Sequence, residues 1–214
     1  MWALVDDADN VTEIIAHPKS LIIDDIRHPK KIFSAWTDAE KRAIGLYEVT
    51  PASKFDESYY INSNASYAKV GTKVVETITK VADKALADVN EVDENGDPLL
   101  DDDGVQVVTL GLKSNAKNKA TAQANGYLQG FEWLIARKVT ANTAIPSAIT
   151  TYMAAIRTDH GNICTALDAA SDMAAFIALH TTTYNEDEDG NITVNVIAKT
   201  QSWTSDANVK AYRR

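Results

Sequence analysis

An α+β fold is predicted for this chain, on three features of its sequence. Short runs of β-branched and aromatic residues, punctuated by clusters of Asp, Asn and Gly, fill the first half. From about Leu112 the apolar spacing changes to threes and fours, the period of a helix. A last pair of β-branched runs then flanks Glu186-Asp187-Glu188-Asp189-Gly190. The expected organisation is a small β-rich module over 1–110, followed by a helical hairpin module over 111–214 with a C-terminal β-hairpin and tail.

Trp2-Ala3-Leu4-Val5 and Val11-Thr12-Glu13-Ile14-Ile15 lie on either side of Asp6-Asp7-Ala8-Asp9-Asn10, which reads as a hairpin about a polar turn. A third run, Leu21-Ile22-Ile23, follows the turn at His17-Pro18-Lys19. In Thr37-Asp38-Ala39-Glu40 the spacing of Thr and Glu is that of a capping box, so a short helix starts there and stops at Gly45. Leu46-Tyr47-Glu48-Val49 resumes a strand pattern, and Tyr59-Tyr60-Ile61 and 73–79 read as further strands. This first third is small enough to need partners for extra burial.

Two acidic, glycine-bearing stretches follow, Asp93-Glu94-Asn95-Gly96-Asp97-Pro98 and Asp101-Asp102-Asp103-Gly104, before the strand-like Val105-Gln106-Val107-Val108. A calcium loop of the EF-hand type needs glycine at its sixth position and glutamate at its twelfth, and counting from Asp93 gives Pro98 and Gly104 instead. Asn-Gly and Asp-Gly therefore read as tight turns, as does the acidic run before Gly190.

Ala116, Ala120, Gln123, Tyr127, Phe131 and Leu134 describe one stripe of a long amphipathic helix, whose alanines allow a neighbouring helix to approach closely. Thr140-Ala141-Asn142-Thr143 breaks the pattern, and Pro146 suits the first turn of the next helix. There Ile149, Tyr152, Met153, Ile156, Ile163 and Leu167 form a second stripe, and Ser171-Asp172 starts a shorter helix holding Met173, Phe176, Ile177 and Leu179.

The chemistry-bearing residues are sparse. Thirty acidic against 21 basic side chains give a formal charge of −9, which repels phosphate backbones, and the best basic group is only Lys113, Lys117 and Lys119. Nucleic acid is not an expected partner. Cys164 is the only cysteine, which excludes an internal disulfide and a cysteine-rich zinc site, and beside Ile163 and Leu167 it reads as a small buried side chain. His160 lies four residues earlier, and the other histidines, His17, His28 and His180, are dispersed. With no nucleophile elbow and no phosphate-binding glycine loop, the chain is expected to be non-enzymatic, with no metal and no cofactor. No apolar run approaches the roughly 20 residues of a membrane span. The sequence lacks a basic leader before an apolar stretch, so synthesis and retention in a cytoplasm are expected, until the chain joins something larger.

What remains are large anchors and cations suited to protein contacts. The candidates are Trp36, Tyr127, Phe131, Trp133, Arg137, Tyr152, Arg157, Trp203, Tyr212 and Arg213. Trp203, in a polar terminal segment, either docks on a partner or folds back on its own core. The basic end, Lys210-Ala211-Tyr212-Arg213-Arg214, is either a frayed terminus or a group steered onto an acidic neighbour.

The series Trp133, Arg137, Ile145-Pro146, Tyr152 and Ala155-Ile156-Arg157 resembles the C-terminal region of phage tail assembly chaperone-like and tail-fibre-associated proteins. In that family a tryptophan-containing helix precedes a proline-started helix with a Tyr-Arg-x-x-Leu-Arg-like core. Met153 stands here where that pattern has its first arginine. Met1-Trp2-Ala3, His28-Pro29-Lys30-Lys31-Ile32-Phe33, Trp36 and Ile44-Gly45-Leu46-Tyr47 resemble the opening module of small tail-associated proteins of bacterial viruses, marine ones especially. The resemblance implies a noncatalytic protein encoded among tail genes that acts through protein contacts. The expected function is a virion structural protein of the tail or fibre attachment, in contact with other phage structural proteins, and the alanine-rich helix stripes suit it to self-association as a homo-oligomer. A tail-fibre assembly chaperone absent from the mature particle, and a head decoration or adaptor protein, are the alternatives.

Overall fold

In the computed structural model, which describes residues 1–213, β1 (Trp2–Val5) and β2 (Val11–Ile15) form the expected antiparallel hairpin, with Ala3 opposite Ile14. A second hairpin follows, β3 (Leu21–Ile23) with β4 (Ile26–His28), turned by Asp24 and Asp25. Both aspartates have positive φ, 51° and 61°, as a two-residue turn of the primed kind demands. Asp-Asp lacks the glycine that usually announces such a turn, so β4 is silent in the sequence.

Helices α1 (Ile32–Ala35) and α2 (Asp38–Ala43) come next. The capping box of α2 is complete: the Glu40 N–H donates to the Thr37 hydroxyl, and the Glu40 carboxylate accepts from the Thr37 N–H. Gly45 ends the helix with φ +72°, and a Cβ there would lie 2.5 Å from the Val5 carbonyl oxygen. It hands the chain to β5 (Leu46–Thr50), which pairs with β1.

β6 (Tyr60–Asn62) pairs at a distance with β9 (Lys80–Asp83), while β7 (Ser66–Val70) and β8 (Lys73–Thr77) form a hairpin between them. β8 lies parallel to β5, giving a sheet of order β2-β1-β5-β8-β7. Its outer strands β2 and β7 come into contact, and Lys69 reaches Asp9 across them. One face packs Ile15, Leu21, Ile32, Phe33 and Leu46 with Trp2 and Trp36, and the other packs Ala3, Val5, Val49 and Val74 with Tyr47 and Tyr67. These elements make the first compact unit, Met1–Asp83.

The second unit, Lys84–Arg214, begins earlier than the division at 110/111 expected from periodicity. The reason is local. β10 (Val89–Asn90) pairs with β11 (Val108–Thr109), and the segment before β10 closes the start of α3 (Leu112–Gln129). The N–H groups of Leu112 and Lys113 donate to the Ala85 and Leu86 carbonyls, and Gly111 donates to Asp88. A Cβ at Gly111 would collide with the Ala87 carbonyl, 2.3 Å away, so glycine permits this approach. Between β10 and β11 two tight turns lie side by side, and the Gln106 amide donates to the carbonyls of Glu91, Leu99 and Val107. The Val105–Val108 strand of the sequence reading shortens to β11, because Val105 closes one of those turns.

The single long helix expected beyond Leu112 is two helices. α3 stops at Gly130, and α4 (Glu132–Ala141) starts after a bend at Phe131. The buried stripe of α3 is Ala116, Ala120 and Ala124, with Gln123 exposed. α5 (Ser147–Ala169) buries all six residues of its predicted stripe, and Asp172 caps α6 (Met173–His180) by accepting the Ala175 N–H. α3 lies against α5, tied by Lys117 to Asp168 at 2.8 Å and by the Lys113 ammonium to the Asp168 carbonyl. β12 (Thr183–Glu186) and β13 (Ile192–Val196) form the last hairpin. The fold is α+β, as predicted.

Four of its turns are the same turn. Asp6, Asp93, Asp101 and Asp187 each take two backbone N–H groups on Oδ1, from the residues two and four further on, at 2.8–3.0 Å. The fourth position of each, Asp9, Gly96, Gly104 and Gly190, has positive φ. Hydrogen bonds in these turns hold the carboxyls of Asp6, Asp93 and Asp187 below the ordinary aspartate value, led by the Asn10 and Asp97 backbone N–H groups and, at Asp187, by the Asn191 side-chain amide.

Candidate functional site

Seven of the ten candidate contact residues meet in the second unit, where the segment after β13 is strapped over the junction of α3 and α4. Two 3-10 turns, Lys199–Gln201 and Lys210–Tyr212, shape the strap. Val209 is only 2% exposed and packs with Ala124, Phe131, Leu134, Ile149, Tyr152, Met153 and Ile156. The Trp203 ring lies 5.3 Å from that of Tyr127, tilted by 53°, and its indole N–H donates to the Thr200 carbonyl. Of the two readings for Trp203, the structure takes the one in which it folds back. Thr204 donates both its N–H and its hydroxyl to Asp159 of α5, fastening the strap beside it.

The basic end is likewise folded back as far as it is described, with Arg214 outside the described residues. The Arg213 guanidinium lies 6.0 Å from the Tyr127 ring and 5.7 Å from the Phe131 ring, and it pairs with Asp206 at 3.4 Å. A Cβ on Gly130 would stand 3.0 Å from the Arg213 Cγ, so the glycine that ends α3 also makes room for this arginine. Trp133 donates its indole N–H to the Tyr212 carbonyl at 3.0 Å.

Two of the candidates are core residues rather than surface anchors. Phe131 is fully buried, and Tyr152 is 5% exposed with its ring edge-on to Phe131 at 5.6 Å. The bend at Gly130 turns Phe131 inward, and the α5 stripe carries Tyr152 to meet it. The Tyr152 hydroxyl is buried without a hydrogen bond of good geometry. Burial pushes this phenol upward, against the pull of the nearby Arg213 charge. Beside it a groove of about 330 Å³ opens between α5 and the strap, lined by Ser147, Thr151, Tyr152, Ala155, Thr204 and Asn208 among others.

Arg137 is exposed and lies 5.9 Å above the Trp133 ring, and Arg157 donates to the Met153 carbonyl one turn back. Trp36, in the first unit, is half-buried and edge-on to His28 at 5.5 Å. The alanine stripe expected to serve self-association is buried within its own unit, with α3 lying against α5.

Cys164 comes within 3.5 Å of His160 Nε2, but the same nitrogen lies 3.0 Å from the Thr121 hydroxyl. Burial pushes the Cys164 thiol up, away from thiolate, with Lys117 pulling the other way. Among the described residues no group of three or more His, Cys, Asp and Glu side chains is placed to hold a metal ion, and no helix is long and apolar enough to cross a membrane.

The uncovered apolar surface lies elsewhere. Every residue of β12 and β13 is exposed, and Tyr184, Ile192, Val194 and Val196 are each between 56% and 68% accessible. Val89, Val92, Leu99, Leu100, Val105 and Val108 are likewise open on the module between β10 and β11. The sequence reading placed the last hairpin correctly but took no contact residue from it, because strand alternation alone does not say whether the apolar face has a cover. Comparison with protein-family models, curated proteins and solved structures finds no match to this chain.

Proposed function

We propose that this chain is a non-enzymatic structural protein of a bacteriophage particle, a tail or tail-fibre attachment component that acts through protein contacts. The resemblance of Trp133, Arg137, Ile145-Pro146, Tyr152 and Ala155-Ile156-Arg157 to tail-associated proteins supplies the phage context. The observation that carries the contact role is the β12–β13 hairpin, whose apolar side chains Tyr184, Ile192, Val194 and Val196 are each more than half exposed. Soluble chains seldom leave such a patch open unless something binds it. Its partners are other phage structural proteins and further copies of itself, with no nucleic acid, membrane, metal or cofactor called for. Its destination is the virion, after synthesis in the host cytoplasm.

Mass spectrometry of purified virions, with copy number measured against a capsid protein, tests this reading. A fixed stoichiometry is expected. Absence from particles together with presence in infected-cell lysate would replace it with the tail-fibre assembly chaperone, and recovery with isolated heads would replace it with a head decoration or adaptor protein.

A further inference from the structure

We infer that the outer edge of β13 is a homodimerisation site, at which two copies of this chain pair antiparallel about a two-fold axis through Val194. The inference names a partner for the contact surface proposed above and rests on that reading.

The backbone supplies the first argument. Asp187 donates its N–H to Asn191, and antiparallel bonding alternates, so Asn185 and Thr193 form the next bonded pair of the hairpin. The N–H and C=O groups of Ile192 and Val194 are therefore directed away from β12. Among the described residues β13 has β12 as its only strand neighbour, so this edge is open.

The side chains supply the second. Ile192-Thr193-Val194-Asn195-Val196 is nearly a palindrome in chemical character. β13 keeps a regular register with β12 from Ile192 to Val194 and shifts before Val196. In a pairing centred on Val194, Val194 stands opposite its own counterpart and Thr193 opposite Asn195, with the apolar Ile192 and Val196 at the two ends. Apolar residues thus meet apolar ones and polar residues meet polar ones. A slip by one residue would set Ile192 against Asn195 and lose the match.

Charge supplies the third. The hairpin tip carries Glu186, Asp187, Glu188 and Asp189, and Lys199 lies beyond the other end of β13. Parallel pairing would put two acidic tips side by side. Antiparallel pairing separates them and sets each tip toward the end of the other copy's β13, beyond which Lys199 follows. The product is a four-stranded sheet in place of two isolated hairpins, and two-stranded hairpins alone are marginal in water.

Sedimentation equilibrium of the full chain tests the proposal. A dimer is expected in the wild type. It should be lost in Val194→Lys, which sets two charges face to face, and in Val194→Pro, which removes an N–H that β12 does not use. Circular dichroism of both variants should match the wild type. Lys199→Glu should weaken the dimer and reduce its sensitivity to salt. A wild-type monomer throughout the micromolar range would overturn the proposal, as would a dimer that survives both Val194 variants with their spectra intact. If the Val194 variants lose their fold, crosslinking of Val194→Cys by a short bis-maleimide in a Cys164→Ser background decides the matter, with no covalent dimer counting against it. Failure here leaves the virion test untouched, since a monomer can still occupy a particle; absence from particles leaves a β13-dependent dimer standing.

Discussion

The Asp88 carboxylate caps α3 from 23 residues away, taking the Gly111 N–H on one oxygen at 2.8 Å and the Ser114 hydroxyl on the other at 2.9 Å. Gly111 occupies the N-cap position and has no side chain of its own to do this. The same bonds hold Asp88 below the ordinary aspartate value, the Gly111 N–H contributing most. Asp88→Ala should lower the thermal midpoint and speed hydrogen exchange at Gly111 and the first turn of α3, while Asp88→Asn should keep most of the cap. Unchanged exchange at Gly111 in the alanine variant would contradict the assignment.

The candidate contact residues divide into two energetic classes. Phe131→Ala should cost about 3–5 kcal/mol, because it opens a cavity at the bend between α3 and α4. Arg137→Ala should stay within about 0.5 kcal/mol, since its side chain lies exposed over Trp133. Urea titration separates them. A fall of several kcal/mol for Arg137→Ala would mean that this residue supports the fold rather than a contact.

Gly45 joins α2 to β5 with positive φ and under the Val5 carbonyl, so Gly45→Ala is penalised twice. The backbone alone costs about 1–2 kcal/mol for an L-residue, and displacing the Val5 carbonyl adds to it. A loss of at least about 2 kcal/mol by chemical denaturation is expected. A neutral effect would mean that the sheet moves freely at Val5.

The repeated turn ties hairpin stability to acid pH. Asp6, Asp93 and Asp187 have folded-state values below the 3.8 of the unstructured group. Their contribution is therefore complete above that pH and is lost as pH falls through the lower folded values. NMR titration should place the carboxyl midpoint of Asp187 below 3.8, accompanied by loss of protection at the Asn191 amide. A midpoint at or above 3.8 would show that the turn is not formed in solution.

Much of the fold was legible because local chemistry decides it. Thr37 and Glu40 spell out a cap, Asp187 and Gly190 spell out a turn, and the six apolar residues of α5 keep helical spacing from Ile149 to Leu167. What escaped depends on residues remote in sequence. Helix α3 breaks at Gly130, where the arriving Arg213 replaces the missing side chain, and nothing near Gly130 announces Arg213. The module boundary moved because Ala85, Leu86 and Asp88 close the start of a helix that begins after Gly111. The contact candidates were chosen by residue type, which favours aromatics, and so the strap's own core was selected and the Ile192–Val196 edge was passed over.

The four copies of one aspartate turn also set a timetable for folding. Each closes within five residues, so its hairpin can form in microseconds, before any distant segment arrives. The parallel pairing of β5 with β8, and the pairing of β6 with β9, must wait for long loops to close. Hairpins such as β12–β13 are therefore complete early, with open edges and apolar faces, while the sheet of the first unit is still assembling. In a concentrated lysate, that order makes the β13 edge the first surface on which this chain can go astray.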